Sequence, residues 1–135
     1  MVVDLSEKAQ AFLQELRFAV LATINQDGTP QLTTMWYLLE DNGTILMNTK
    51  VGRLKERNMR RNPHISICIE NGYDFLTING TVEMMDDPEI AQRDIYRLSK
   101  RYHGKAKARR QMEEKFSKEL RVSLRLKPES IIEYF

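Results

Sequence analysis

The sequence predicts a mainly β fold, a small antiparallel barrel with flanking helices, built as one domain over residues 1–135. Short apolar segments alternate with turn sequences over residues 18–84, whereas helical periodicity is confined to the two ends and one short insertion. The second and third strands carry bulky residues on both faces. This pattern is expected where one face fills a barrel and the other packs on helices or a second subunit. An open α+β sheet is the alternative.

The first part of the chain predicts one helix and a three-stranded meander. The helix is expected at 5–16, where apolar residues recur at helical spacing after a cap at Asp4 or Ser6. Three strands follow, at residues 18–24, 31–39 and 44–49. The turns between them contain Asp27-Gly28 and Asn42-Gly43, sequences that favour hairpins and therefore antiparallel pairing.

The remaining elements are predicted from breaks in periodicity. A short basic helix at 53–62 ends before Pro63, and strands follow at 65–69 and 75–84, with a bulge or bend expected at Gly80. A helix begins at Asp86-Asp87-Pro88 and is interrupted at His103-Gly104. A more polar helix at about 105–120 should bury Met112, Phe116 and Leu120. The sixth strand is expected at 122–126, with a short further piece at Ile131-Ile132.

The composition excludes several classes of protein. Cys68 is the only cysteine, and His64 and His103 are the only histidines, so disulfide frameworks, Cys-rich zinc sites and larger Cys/His metal clusters are not expected. No apolar run approaches the ~20 residues of a membrane span, and residues 1–4 do not resemble the start of a signal peptide. A cytoplasmic protein that does not contact membranes is therefore expected.

Positive charge is concentrated in two segments. Residues 50–61 contain six Lys and Arg residues and one acid, Glu56, and residues 97–110 contain seven cations and no acid. Such segments indicate an anionic ligand, nucleic acid or two solvated helix faces. The nearby aromatic residues Tyr96, Tyr102 and Phe116 are spaced as a buried helix stripe rather than as a base-stacking platform, so nucleic acid is the less favoured partner.

No catalytic constellation is visible in the sequence, and the catalytic residues stay unassigned. Residues 47–63 nevertheless have the outline of a phosphate site. A strand ends in Asn48 and Thr49, a bend contains Gly52, and a helix opens beside Arg53 and Lys55. The last two are separated by about two 100° steps on a helix, so both can hold one anion only if Arg53 still belongs to the bend. A solvated basic helix is the alternative.

The order of these elements resembles the pyridoxamine 5′-phosphate oxidase-like, flavin-binding split-barrel superfamily, and within it the small members described as deazaflavin-dependent enzymes. Four stretches carry the resemblance, at residues 18–24, 27–34, 53–63 and 80–83. The spacing is consistent over residues 5–90 and looser in the helical tail. The resemblance implies a six-stranded antiparallel split barrel that assembles as a homodimer with the cofactor in the interface.

The resemblance also implies site residues. The family's phosphate-binding positions fall on Thr49, Arg53 and Lys55, with Asn48 beside them. The strand that faces the flavin ring falls on Thr33, Thr34 and Met35, and the strand at 75–79 of a partner subunit would complete the pocket.

The function implied is hydride transfer between a bound FMN or deazaflavin coenzyme F-420 and a small organic substrate. The arginine that true oxidases place near position 33, and their C-terminal substrate-phosphate residues, have no counterpart here, so vitamin B6 oxidation is not expected. Seven cations in residues 97–110 favour the deazaflavin, whose carboxylate tail requires positive charge. The alternative is a non-catalytic barrel module that binds flavin, haem or nucleic acid.

Overall fold

A computed structural model describes residues 2–135, so Met1 of the predicted domain lies outside the described residues. The chain folds into four α-helices and seven strands, with a 3₁₀ turn at Phe116–Lys118. The helices are α1 (Glu7–Gln14), α2 (Leu54–Arg61), α3 (Pro88–His103) and α4 (Lys105–Glu114). The strands are β1 (Ala19–Ile24), β2 (Pro30–Met35), β3 (Leu38–Leu39), β4 (Ile45–Lys50), β5 (His64–Glu70), β6 (Phe75–Met85) and β7 (Arg121–Tyr134).

All seven strands belong to one antiparallel sheet in the order β2-β1-β5-β6-β7-β4-β3. Its two edges, β2 and β3, are consecutive in the chain and are joined only by Trp36 and Tyr37. Two connecting residues can separate Met35 from Leu38 by no more than about 11 Å. The sheet therefore has to curl until its edges nearly meet, which gives a half-barrel and confirms the mainly β, antiparallel and curled fold predicted from the sequence.

The predicted strand between residues 31 and 39 is in fact two strands, so the sheet has seven strands rather than six. The break has a specific cause in α3. The Tyr37 N–H donates to the Tyr102 hydroxyl at 3.2 Å instead of to a neighbouring strand. The same hydroxyl also contacts the Tyr37 carbonyl oxygen at 3.4 Å. A side chain thus satisfies the backbone where the chain crosses from one sheet edge to the other.

The bulge predicted at Gly80 is present, because the pairing of β6 with β7 shifts register between Asn79 and Gly80. A Cβ atom built on Gly80 would lie 2.0 Å from the carbonyl oxygen of Lys127. Only glycine allows the two backbones this approach. Beyond the bulge β7 continues to Tyr134, so Ile131-Ile132 belongs to a single long strand and not to a separate piece.

The helical predictions need two corrections at the C-terminal end. The last helix ends at Glu114 and gives way to the 3₁₀ turn, since Lys115 leaves the helical conformation and Phe116 turns inward. Phe116 packs in a small cluster with Leu46, Ile95 and Leu98, against which Met112 lies partly buried. Leu120, predicted to be buried with them, is 61% exposed because the chain is already extended there.

The main core lies inside the curled sheet and is formed by the inward residues of β1, β4, β5, β6 and β7 together with α1. The second cluster lies between the outer face of β4 and α3. No helix in residues 2–135 is long and apolar enough to cross a membrane.

Candidate functional site

An open cavity of about 360 Å³ lies where the two sheet edges meet, between the start of α2 on one side and α3 with the 3₁₀ turn on the other. Polar and positively charged side chains form one part of its wall: Thr34, Asn48, Thr49, Arg53, Lys55, Lys115 and Arg121. Apolar and aromatic side chains form the rest: Phe18, Met35, Trp36, Ile95, Leu98 and Phe116. The volume is in the range of small-molecule sites.

The polar end of the cavity is formed by the bend that leads into α2. Gly52 has a φ of +102°, which a residue with a side chain rarely adopts. Its N–H donates to Glu56 Oε1 at 2.8 Å, so the first-turn acid is used to hold the bend. Arg53 is extended, with φ −72° and ψ 154°, and precedes the first helical residue. The condition under which Arg53 and Lys55 can approach one anion is therefore met.

Most cations of the predicted basic segment 50–61 are paired within the protein. Arg57 donates to the Gly52 carbonyl oxygen, Arg60 pairs with Glu56 and Asp86, and Arg61 donates to the Ile24 carbonyl oxygen. Lys50 lies 3.8 Å from Glu119. Arg53 and Lys55 have no ion-pair or hydrogen-bond partner for their side chains among residues 2–135. They are the two cations that the phosphate motif singles out.

Lys55 is the unusual member of this pair, because it is only 7% exposed and forms no ion pair within residues 2–135. Burial lowers the pKa of its ammonium, and the charges of Arg53 and Arg121 lower it further. A buried, unpaired cation beside two other cations is electrostatically unfavourable unless an anion joins them. The first turn of α2 adds backbone N–H groups that its caps do not use.

Two threonines predicted at the site differ in position. The Thr49 hydroxyl is buried beside these cations, lines the cavity and has no hydrogen-bond partner among the described residues. The Thr33 hydroxyl is also buried without a partner, but Thr33 does not line the cavity. Its side chain points toward the barrel interior, as do those of its neighbours at 35 and 37. Of these two threonines, only Thr49 lines the cavity.

Thr34, Met35 and Asn48 all line the cavity, as the resemblance implies. The polar atoms of Asn48, however, already have protein partners. Its Nδ2 donates to the Ala91 carbonyl oxygen at 2.9 Å, and its Oδ1 accepts from Arg121 Nε at 2.8 Å. Asn48 therefore holds other groups of the wall in place.

Arg121 is the charged wall residue that sequence reasoning missed. It is 9% exposed and lies at the first position of β7, three residues after the end of the 3₁₀ turn. Burial lowers the pKa of its guanidinium despite the ion pair with Glu119. No local motif marks Arg121, because it reaches the cavity only through the pairing of β7 with β4, where it stands opposite Lys50.

The aromatic part of the wall is rigid. Tyr102 is stacked between Phe18 and Trp36, with ring centroids 5.4 Å and 5.3 Å away, and Trp36 meets Phe116 edge-on at 6.4 Å. Tyr102 and Phe116, two of the aromatics considered for base stacking, are thus engaged inside the protein. The sequence contains these residues, but nothing local brings Phe18 and Trp36 to one cavity.

The second basic segment, 97–110, is only partly available to a ligand. Arg97 pairs with Glu40 and Asp94, and Arg101 donates to the Leu13 carbonyl oxygen and stacks on Tyr37. The others are exposed and have no ion-pair partner within residues 2–135: Lys100, Lys105, Lys107, Arg109 and Arg110. Five of the seven cations in this segment therefore remain available to a ligand.

No group of three or more His, Cys, Asp and Glu side chains in residues 2–135 is arranged to hold a metal ion. The cavity wall contains none of these four residue types. What it offers is a set of donors and cations at one end and flat apolar surface at the other. Such a wall suits a planar organic molecule that carries an anionic group.

A curled antiparallel sheet with a cation-lined cavity at its seam is the architecture of a split-barrel protein. The family model for pyridoxamine 5′-phosphate oxidase matches residues 5–135, so the chain belongs to that family. The match includes the helical tail, where the sequence resemblance was looser.

Three solved structures are similar to this chain. The conserved hypothetical protein Rv2991 from Mycobacterium tuberculosis is 28% identical, with a TM-score of 0.80, over 98% of this chain and 86% of its own. An F420 reductase is 25% identical, with a TM-score of 0.74, over 95% of this chain and 98% of its own. A Listeria innocua protein provisionally named pyridoxamine 5′-phosphate oxidase is 26% identical, with a TM-score of 0.71, over 94% of this chain and 95% of its own.

Proposed function

We propose that this protein binds FMN or the deazaflavin coenzyme F-420 in the cavity and transfers a hydride between that cofactor and a small organic substrate. The observation that carries the proposal is the buried, unpaired Lys55 beside Arg53 and the free Thr49 hydroxyl. These groups fit a phosphate, which accepts charge-assisted hydrogen bonds from all of them. Membership of the oxidase family and the similarity to an F420 reductase support a flavin-type cofactor.

The cofactor would supply the redox centre, and the residues of the chain would bind and orient it. Lys55, Arg53 and Thr49 would hold the phosphate, and the backbone at Thr34 and Met35 would bind the polar edge of the ring. The described cavity wall contains no Asp, Glu or His, which agrees with a site in which the cofactor, when bound, would supply the redox chemistry. The aromatic stack of Phe18, Tyr102 and Trp36 excludes water from one side of the cavity.

The same site is shared between two copies of the chain in this proposal. The outer face of the sheet has a continuous cross-strand row that runs from β7 to β2: Ile132, Thr77, Cys68, Val20 and Thr34. Thr34 ends the row and also lines the cavity, and Phe18, 56% exposed, lies on the same side. A second copy seated on this face would reach the cavity, with its strand β6 closing the pocket.

A single unpaired cysteine, Cys68, favours a cytoplasmic location.

The choice between the two cofactors depends on α4. Coenzyme F-420 continues beyond the phosphate into a flexible chain of carboxylates, which FMN lacks. Lys105, Lys107, Arg109 and Arg110 are exposed and have no ion-pair partner within residues 2–135, so they are free to attract such a chain. Each contact is worth about 0.2–1 kcal/mol at an exposed site and weakens with salt. This favours F-420 over FMN.

Titration of the two cofactors tests the proposal. Removal of two charge-assisted contacts, each worth roughly 1.5–3 kcal/mol, should weaken binding at least a hundredfold in the Arg53→Ala/Lys55→Ala variant. Lys8→Ala/Lys127→Ala removes the same amount of charge outside the cavity wall and should bind each cofactor as tightly as the wild type does. Failure of both cofactors to bind, or equal affinity in the two double variants, would contradict the proposal.

Tail length separates the cofactors in the same experiment. If α4 holds the carboxylate chain, F-420 with more glutamates should bind more tightly at low salt, and the advantage should shrink at high salt. Tighter binding of FMN, or no dependence on tail length, would reject F-420 but not a flavin-type cofactor.

A further inference from the structure

Arg121 is fixed in its place on three sides. Its Nε donates to Asn48 Oδ1 at 2.8 Å, and its Nη1 donates to Glu119 Oε1 at 2.7 Å. Its guanidinium carbon lies 5.0 Å from the centroid of the Phe116 ring. No hydrogen-bond partner holds Nη2 among residues 2–135. Arg121 lines the cavity, so this pre-oriented guanidinium end remains for a ligand.

Asn48, which accepts the hydrogen bond from Arg121 Nε, is itself held by a buried series of hydrogen bonds. Asn48 and Ser123 stand directly opposite each other in the pairing of β4 with β7, and Asn48 Nδ2 lies 3.3 Å from Ser123 Oγ. Ser123 Oγ donates to Asp94 Oδ2 at 2.7 Å. Asn48 can accept from Arg121 only while its amide points its nitrogen toward Ser123 and Ala91. The Ala91 carbonyl oxygen and the acceptor that Ser123 offers therefore set the orientation of the amide together.

Asp94 is the anionic end of this series of hydrogen bonds. It is 0% exposed on the face of α3 that packs against β7 and β4. Arg93 and Arg97 donate to its Oδ1, each at 3.1 Å, and Arg125 donates to its Oδ2 at 3.1 Å. Burial alone would raise the pKa of this carboxyl, but the hydrogen bonds from Ser123, Arg93 and Arg97 lower it by more. The pKa therefore lies below its ordinary value, and Asp94 stays charged. A charged carboxylate forces the Ser123 hydroxyl to donate toward it, which leaves the Ser123 oxygen as an acceptor for Asn48.

We propose that Arg121 is an anion-binding residue of the cavity and that Asp94 positions its guanidinium through Ser123 and Asn48. The inference rests on the proposed function, because the anion is taken to be the cofactor's phosphate. Asp94, Ser123 and Asn48 are positioning residues, since none of their polar atoms is free to touch the ligand. Arg121 is the binding residue.

A double-mutant cycle with inorganic phosphate and FMN as probes tests this inference on the full chain. Arg121→Met should weaken both ligands by about ten- to a hundredfold and reduce the salt dependence of binding. Asn48→Ala should weaken them by roughly three- to tenfold with an unchanged salt dependence, because no charge is lost. In the Arg121→Met background Asn48→Ala should have no further effect.

A merely structural role of Asn48 would appear as the same loss in both backgrounds, and that result would overturn the inference. The same cycle with Ser123→Ala tests the link between Asn48 and Asp94. Ser123→Thr, which keeps the hydroxyl, should bind both ligands as the wild type does. If Ser123→Ala leaves affinity unchanged while Arg121 is intact, Asp94 does not act through Asn48. Thermal unfolding of each variant without ligand shows whether it is folded.

The two levels of the proposal fail differently. If wild-type protein binds neither FMN nor F-420, the proposed function fails and this inference fails with it. If the wild type binds both and the effects of Asn48→Ala and Arg121→Met are simply additive, the inference alone is wrong.

Discussion

Lys55 shows how a single residue can serve binding at a cost to stability. Its ammonium is buried beside Arg53 and Arg121, and burial together with their charges lowers its pKa. A side chain that only had to fill this space would be apolar, since an unpaired buried charge destabilises the folded state. The position is therefore explained by the ligand that it would pair with rather than by the fold.

Replacement of Lys55 by methionine should separate these two effects. In phosphate-free buffer at neutral pH, Lys55→Met should raise the free energy of unfolding by about 1–3 kcal/mol, because it removes a buried charge and keeps the volume. Chemical denaturation measures this, with the exposed Lys8→Met as the control. Added phosphate should stabilise the wild type but not Lys55→Met. A variant that is less stable than the wild type without phosphate would contradict the prediction.

The stability difference between wild type and Lys55→Met should also depend on pH. The folded chain has a Lys55 pKa below the ordinary 10.5, so between the two values the unfolded chain binds more protons. The penalty is complete below the folded pKa and disappears as the pH rises through it toward 10.5. Denaturation at neutral and alkaline pH should therefore show the advantage of Lys55→Met shrinking, while a pH-independent advantage would exclude a titrating Lys55.

At the scale of the element, the pairing of β6 with β7 depends on Gly80, where the two backbones approach most closely. An added Cβ would lie 2.0 Å from the Lys127 carbonyl oxygen, which belongs to the backbone and cannot rotate away. These two strands form the most extensive pairing of the sheet, from Phe75↔Tyr134 to Met85↔Ser123. A displacement of the backbone at Gly80 would disturb the pairing of β6 with β7 on both sides of the bulge.

Gly80→Ala should therefore destabilise the protein by about 3 kcal/mol, at the upper end of the usual cost of overpacking. The expected result is a lower denaturant midpoint than that of Thr77→Ala, a control on the same strand. If Gly80→Ala proved as stable as the control, the close approach at the bulge would be wrong.

Elements differ in how far the sequence predicts them. The bend before α2 is local, so Gly52, Arg53 and Lys55 could be assigned from a continuous stretch of residues. The break between β2 and β3 could not, because it is caused by the Tyr102 hydroxyl of a helix far along the chain. For the same reason Arg121 was missed, since its place in the cavity follows from pairing with a strand more than 70 residues earlier.

At the scale of the whole molecule, curling places the cavity at the seam of the sheet and leaves the outer face of five strands, β7, β6, β5, β1 and β2, uncovered. Val20, Leu32 and Ile132 are all exposed there, Leu32 to 63%. The packing of α3 covers the same outer face only at β4 and the start of β7. An uncovered apolar sheet face of this extent favours association with a second copy.

If this face forms the dimer, a charge at its centre should produce monomers. In an isologous dimer both copies contribute the same surface, so each substituted residue occurs twice in the interface. Val20→Lys therefore places two ammonium groups in apolar surroundings. Sedimentation at micromolar concentration should find wild type as a dimer of 15.9 kDa chains and Val20→Lys as a monomer. Leu120→Lys, an exposed leucine outside the row, is the matched control and should remain dimeric.

In Val20→Lys the affinity for phosphate should be unchanged, because its donors belong to one chain, whereas the affinity for FMN or F-420 should fall because the second copy no longer closes the pocket. A wild type that sediments as a monomer, or full cofactor affinity in a monomeric variant, would contradict a site shared between two copies.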